Sequence, residues 1–144
     1  MTVIAIHIGV AEGGPLEAVS SVRARAGRGL EGDRYFHALG APAGGALTLV
    51  EDEAVESIGL PLGATRRQLT VRGVRLNDLV GTHFAVGAVE CYGVKLCEPC
   101  VHLQNMTRPG LIKDLVHRGG LRADILSDGI IAVGDLVTIQ ATPG

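Results

Sequence analysis

Glycine interrupts this chain at short intervals, and the apolar runs between the glycines are short. The 21 glycines in 144 residues are roughly twice the ordinary usage of about 7%. That spacing reads as many turns joining short strands. Hydrophobic residues make up 47% of the chain and aromatics only 3%, so Val, Ile, Leu and Ala must supply the core. The length suits a single domain over residues 1–144, able to bury a core without disulfides or a structural metal.

Residues 3–8 are expected to form a first strand, ended by Gly9. A second is expected near 18–25, followed by a loop through Gly27, Gly29 and Gly32. Residues 46–50 lead into a short helix over 51–58 with acids in its first turn, where the helix dipole favours them. Residues 68–74 alternate with period two, as a half-buried strand should. After a tight connection at 76–81, residues 83–86 and 88–96 read as consecutive strands, with a bulge at Gly93. Residues 109–117 suit a second short helix with Pro109 in its first turn. Residues 121–126 and 130–133 flank Ser127-Asp128-Gly129, a hairpin signal, and a last strand covers 136–140. The whole predicts a mainly β, barrel-like sheet of antiparallel or mixed strands with helical plugs. The alternation of a Rossmann or thioredoxin fold is missing.

The net charge of −2 supplies no global field to recruit nucleic acid or an anionic membrane. The first residues lack a positive signal-like region, and no apolar run reaches about 18 residues. A cytoplasmic protein with reduced thiols is expected, and a permanent Cys97–Cys100 disulfide is not. Arg outnumbers Lys by 11 to 2. That bias suits bidentate recognition of phosphate or carboxylate, and equally a GC-rich genome.

Cys97-Glu98-Pro99-Cys100 carries the sharpest chemical signal. A dithiol redox pair would need a βαβ context, which is absent. Zinc would need four ligands, and only Cys91 and scattered histidines remain. The third reading uses one exposed thiolate, at Cys100, as a soft-metal ligand or persulfide carrier. Two ordinary core cysteines remain an alternative, and Cys91 is expected to be a small buried hydrophobe in a strand. Gly32-Asp33-Arg34-Tyr35 can hold an anionic oxygen through Arg34, oriented by Asp33, or form only a turn with a local ion pair. Arg66-Arg67 precedes the strand at 68–74, where alternation would send the two side chains to opposite faces. His117-Arg118-Gly119-Gly120 either caps a helix or reaches an anion beside glycine amides. His7, His37, His83 and His102 show no metal-ligand spacing, and His7 and His83 are expected to be satisfied strand histidines. No Walker loop or other nucleotide or hydrolase signature is present.

Taken in order, these pieces resemble the MOSC family, named for the C-terminal domain of molybdenum cofactor sulfurase, a pyridoxal-phosphate-linked enzyme. The matching stretches are Gly29-Leu30-Glu31-Gly32-Asp33-Arg34-Tyr35, Arg66-Arg67-Gln68-Leu69 with Gly73-Val74 and Leu76 to Leu79, Glu98-Pro99-Cys100-Val101-His102-Leu103, Gly110-Leu111 to His117-Arg118-Gly119-Gly120, and Gly129 to Asp135. The resemblance implies a β-rich barrel and a site for molybdenum cofactor, with no pyridoxal phosphate site in this chain. It makes Cys100 a sulfur carrier, or a molybdenum ligand as in the family's reductase branch, which acts on N-oxygenated compounds. It places Gly32, Asp33, Arg34, one of Arg66 or Arg67, Gln68, His117, Arg118 and Gly119 at the pterin or its phosphate. Gln68 stands where the family often has Asn, a ligand-facing amide lengthened by one methylene. The additional N-terminal barrel domain of several larger members is missing. A sulfur donor such as a cysteine desulfurase is the implied partner, and exposed sheet edges would allow a homodimer. Two other functions stay open, a non-catalytic module binding an anion or a partner, and a dithiol oxidoreductase using Cys97 and Cys100.

Overall fold

The computed structural model describes residues 1–11, 13–97 and 119–140. Eleven strands are found among them: β1 (Thr2–Ile8), β2 (Glu17–Val19), β3 (Ser21–Arg25), β4 (Gly29–Leu30), β5 (Leu47–Glu51), β6 (Leu69–Arg72), β7 (His83–Val86), β8 (Val89–Leu96), β9 (Leu121–Ile125), β10 (Gly129–Ala132) and β11 (Val137–Ile139). A single α-helix, α1 (Asp52–Ser57), and a 3-10 turn at Leu76–Leu79 complete the described elements. The helix expected at 109–117 lies outside them. No helix among the described residues is long and apolar enough to cross a membrane.

Eight strands form one sheet in the order β11-β7-β8-β9-β5-β6-β1-β2, and β10-β3-β4 form a second. All pairs are antiparallel except β5–β6, whose parallel pairing requires the crossover that α1 and the following loop provide. The large sheet curls on itself. Val3 donates its amide to the Asp135 carbonyl at 2.9 Å, Gly134 to Val3 at 2.8 Å and Val137 to Met1 at 2.9 Å. The start of β1 thus meets the approach to β11, at the opposite side of the sheet. Among the described residues the enclosed core is aliphatic apart from Phe84 and Cys91, with Ile6, Leu30, Leu49, Leu69 and Leu121 buried around them.

The acids of α1 do more than meet the helix dipole. Glu51 accepts from the Leu76 amide at 3.1 Å, Glu53 accepts from the Gly73 amide at 3.0 Å, and Asp52 pairs with Arg72. These contacts hold the helix against the chain leaving β6.

The hairpin expected at Ser127-Asp128-Gly129 does not form. β9 already has β8 on one side and β5 on the other, so no edge is left for β10. Asp128 instead accepts from the Ala26 amide at 2.7 Å and pairs with Arg25, and β10 joins β3 in the other sheet. The single strand expected near 18–25 is two, since the chain leaves β2, paired with β1, and enters β3, paired with β10 and β4.

Two glycines are fixed by close approach. The 3-10 turn crosses over β8 at Gly93, which exchanges backbone hydrogen bonds with Gly81 and Thr82, and a Cβ there would overlap the Leu79 carbonyl oxygen. The register of β8 against β9 shifts just after it, between Gly93 and Lys95, which is the expected bulge. At Gly120, with φ of +117°, a Cβ would overlap the Leu49 carbonyl oxygen. Neither neighbour is a flexible side chain, so the main chain itself must move. Gly93→Ala and Gly120→Ala should each lower the unfolding free energy in urea by about 3 kcal/mol. Gly134→Ala, at φ of +95° with nothing within 4 Å, should cost only backbone strain of about 1 kcal/mol.

Candidate functional site

The site is built where β1 ends and β6 begins, which the antiparallel pairing of these strands brings together. Asp33 lies at its centre, with a side chain that is 0% exposed. The turn that carries it follows Gly32, whose φ of +87° favours glycine. Asp33 Oδ1 accepts from the Gly9 amide at 2.9 Å and from Arg34 Nη1 at 3.1 Å. Asp33 Oδ2 accepts from the Tyr35 amide at 3.1 Å and from Gln68 Nε2 at 2.7 Å. Four donors therefore fill the carboxylate's roughly four acceptor directions.

Arg34 is 5% exposed at its side chain and is tied down twice more. Its amide donates to the Gly9 carbonyl at 2.6 Å, and its guanidinium carbon lies 4.5 Å from the centre of the Tyr35 ring, a cation–π distance. A Cβ on Gly9 would lie 3.0 Å from Arg34 Nη1 and 2.8 Å from Leu16 Cδ2, so a larger residue there would have to displace the Leu16 tip and crowd the guanidinium. Arg34 Nε is buried and has no partner among the described residues. An orphaned buried donor on a cation is costly, and it marks a position where an acceptor is wanted.

Arg66 and Arg67 diverge, but not by strand alternation. Both precede β6, and Arg66 has φ of +62°, a left-handed conformation uncommon outside glycine. Arg66 turns toward the β1–β2 connection and donates to the Gly14 carbonyl at 2.7 Å. Burial, followed by the nearby charge of Arg34, lowers its pKa, while Tyr35 opposes the shift. Arg34 and Arg66 thus form a two-cation corner. An open cleft of about 290 Å³ adjoins it at Gly9, lined by residues 8–11 and 15–17, with Glu17 among them and neither arginine.

Arg67 turns the other way. Nε donates to the Gly119 carbonyl at 2.8 Å, Nη2 to the Cys97 carbonyl at 3.3 Å and Nη1 to the Thr65 carbonyl at 3.4 Å. The Cys97 amide donates to the Gly120 carbonyl at 2.7 Å. One guanidinium therefore ties the end of β8 to the approach to β9. Gly119 is placed here by its carbonyl, as an acceptor for Arg67. Cys100, His117 and Arg118 lie outside the described residues, as do Glu98, Pro99 and His102.

Gln68 is 2% exposed, and both ends of its amide are taken up inside the protein. Nε2 serves Asp33, and Oε1 accepts from the Thr48 main-chain amide at 2.9 Å, while Thr48 Oγ1 accepts from the Gln68 main-chain amide at 3.0 Å. The sequence reading missed Thr48, which looks like any strand threonine, and Gly9, whose position directly after a strand was the only signal.

Cys91, Cys97, His83 and His7 resolve differently. Cys91 is a buried strand residue, as expected, and burial pushes its thiol up to about 12. Cys97 is 2% exposed, which weighs against an attacking role in dithiol chemistry. His83 lies against Tyr92, with ring centroids 4.9 Å apart. His7 is not the satisfied strand histidine expected. Its Nδ1 is buried without a partner among the described residues, and a Cβ on Gly63 would sit 2.7 Å from its Nε2. Among the described residues no group of three or more His, Cys, Asp and Glu side chains could hold a metal ion.

Two tests follow from this geometry. Burial lowers the His7 pKa in the folded chain, so below the ordinary value of about 6.5 the unfolded chain binds the extra proton first. The stability contributed by neutral His7 is complete above about pH 6.5 and is lost as pH falls toward the folded-state pKa. Urea unfolding between pH 7.5 and 5 should show this loss, and His7→Asn should flatten it. Arg67→Met should cost about 1–3 kcal/mol and speed hydrogen exchange at the Cys97 amide.

Comparison with known proteins agrees with the architecture. The MOSC domain family model matches residues 45–138. Among solved structures, YuaD protein from Bacillus subtilis superposes with a TM-score of 0.76 at 16% identity, covering 99% of this chain and 98% of that one. YiiM from Geobacillus stearothermophilus gives 0.71 at 19% identity, over 97% of this chain and 75% of that one. YiiM from Escherichia coli gives 0.73 at 14% identity, over 99% and 71%. These likenesses show a shared fold. A comparison with curated proteins gives no match. With almost two thirds of its length inside the family match, the chain belongs to the MOSC domain family.

Proposed function

We propose that this chain is a molybdenum-cofactor-binding MOSC protein that carries sulfur as a persulfide on Cys100. The observation that supports it is the corner made by Arg34 and Arg66, with a buried Arg34 Nε lacking an acceptor among the described residues. That donor set fits the cofactor's phosphate. Arginines suit a phosphate oxygen in directional bonds, and Tyr35, 39% exposed beside Arg34, offers a face for a flat ring. Arg34 and Arg66 would hold the phosphate, with the Gly32–Asp33 turn fixing where Arg34 stands. The cofactor, when bound, supplies a redox-active metal soft enough to suit a thiolate.

Cys100 does the sulfur chemistry in this reading. Its thiolate attacks the outer sulfur of a donor persulfide. An S–S bond forms at Cys100 as the donor's S–S bond breaks, and the donor leaves as a thiolate. The exchange is redox-neutral, and its donor would be a protein such as a cysteine desulfurase.

The test uses protein made in a host that synthesises molybdenum cofactor. Wild-type protein should carry molybdenum and cyanide-labile sulfur, and Cys100→Ser should lose the labile sulfur. Arg34→Lys, which keeps a positive charge beside buried Asp33 but removes Nε and the forked geometry, should lose most of the molybdenum while staying folded. Loss of molybdenum, with no labile sulfur in either protein, would instead make Cys100 a metal ligand, as in a small reductase of N-oxygenated compounds. Labile sulfur retained in full by Cys100→Ser would end the sulfur-carrier proposal.

A further inference from the structure

The resemblance placed Gln68 among the ligand contacts, but its bonds run inward. We infer that Gln68 and Thr48 are positioning residues that set the orientation of Arg34 through Asp33, without touching the bound anion. This rests on the reading that Arg34 receives an anion.

Five residues from four separate segments, Gly9, Asp33 with Arg34, Thr48 and Gln68, form one chain of hydrogen bonds. Thr48, in β5, grips Gln68 at two points: its main-chain amide donates to Gln68 Oε1 at 2.9 Å, and its Oγ1 accepts from the Gln68 main-chain amide at 3.0 Å. That leaves the Gln68 amide nitrogen aimed at Asp33 Oδ2, 2.7 Å away. The other oxygen of Asp33 holds Arg34 Nη1 and the Gly9 amide. Asp33 is buried with no exposed side-chain surface, so the carboxylate cannot swing toward solvent for a replacement donor. Its angle is set by Gln68 on one side and by Gly9 and the Tyr35 amide on the other. Rotating that carboxylate would rotate the guanidinium bound to it.

The amide is also the right chemical choice. Gln presents a donor toward Asp33 and an acceptor toward Thr48 in one neutral group. Glu in its place would meet Asp33 with an acceptor, and the two carboxylates could stand side by side only by sharing a proton. The other titratable groups around the pair are Arg34, Arg66 and Tyr35 on the loops, and His7, whose backbone amide donates to the Gln68 carbonyl.

The experiment measures binding of inorganic sulfate, an anion whose charge is constant between pH 5.5 and 8, by titration calorimetry. Arg34→Met should abolish sulfate binding. Gln68→Glu should weaken it about tenfold at pH 8 and regain most of it at pH 5.5, a pH profile that wild type lacks. Thr48→Val, which changes no charge and removes the hydroxyl that holds the Gln68 main chain, should weaken binding about threefold, and Gln68→Met, which removes the side-chain amide itself, should weaken it at least as much and carries the test where Gln68→Glu does not fold. Two outcomes overturn the inference and leave the anion reading standing. One is wild-type affinity in both Gln68→Glu and Thr48→Val while Arg34→Met fails to bind. The other is a loss in Gln68→Glu that is equal at every pH with Thr48→Val unaffected, as direct contact between Gln68 and the anion would give. Sulfate bound equally by wild type and Arg34→Met, or by neither, overturns the anion reading and the inference with it.

Discussion

The Asp33 carboxylate is the interaction on which this end of the molecule depends. It gathers the last residue of the β1 region, its own turn and the approach to β6 around two oxygens. A buried carboxylate is tolerable only when its lone pairs are met, and here four donors meet them. The same arrangement makes the local fold unforgiving. The four donors come from three segments, so neither Gly9 nor Gln68 can shift against the Asp33 turn without costing an oxygen a donor. What results is a fixed cation, Arg34, held at the rim of the barrel by bonds that reach into it.

The second organising fact is that adjacent arginines do different jobs. Alternation along a strand would have sorted them to two faces. Instead the left-handed backbone at Arg66 throws one side chain toward the β1–β2 connection and the other toward the end of β8. Arg66 stands near Arg34 and adds charge. Arg67 spends its bonds on main-chain carbonyls, where a guanidinium's several directed donors can join segments far apart in sequence. Electrostatics and architecture are thus divided between two neighbouring residues of the same type.

Much of the architecture was legible in the amino-acid sequence. The strands at 3–8, 83–86, 88–96 and 121–126 announce themselves by apolar runs, the first two ended directly by glycine, and the bulge at Gly93 by a glycine inside such a run. The hairpin at Asp128-Gly129 was misread because a turn signal is local, while strand pairing is settled by which edges are already taken. The single strand near 18–25 failed for a related reason, since nothing in those residues reports a change of sheet. At the site, the Asp33–Arg34 pair could be read from its glycine-rich setting. The inward bonds of Gln68 could not, because its partners lie 20 and 35 positions away. His7 looked like a satisfied histidine because the glycine that covers it, Gly63, is distant in sequence.

The chain has no tryptophan and only two tyrosines. One of them, Tyr92, pairs with His83. The other, Tyr35, shares its ring face with the Arg34 guanidinium. Ultraviolet emission from this protein therefore comes from two rings, and one of them stands at the corner where an anion would arrive. The molecule carries its own optical reporter, and occupancy there can be followed without attaching a dye.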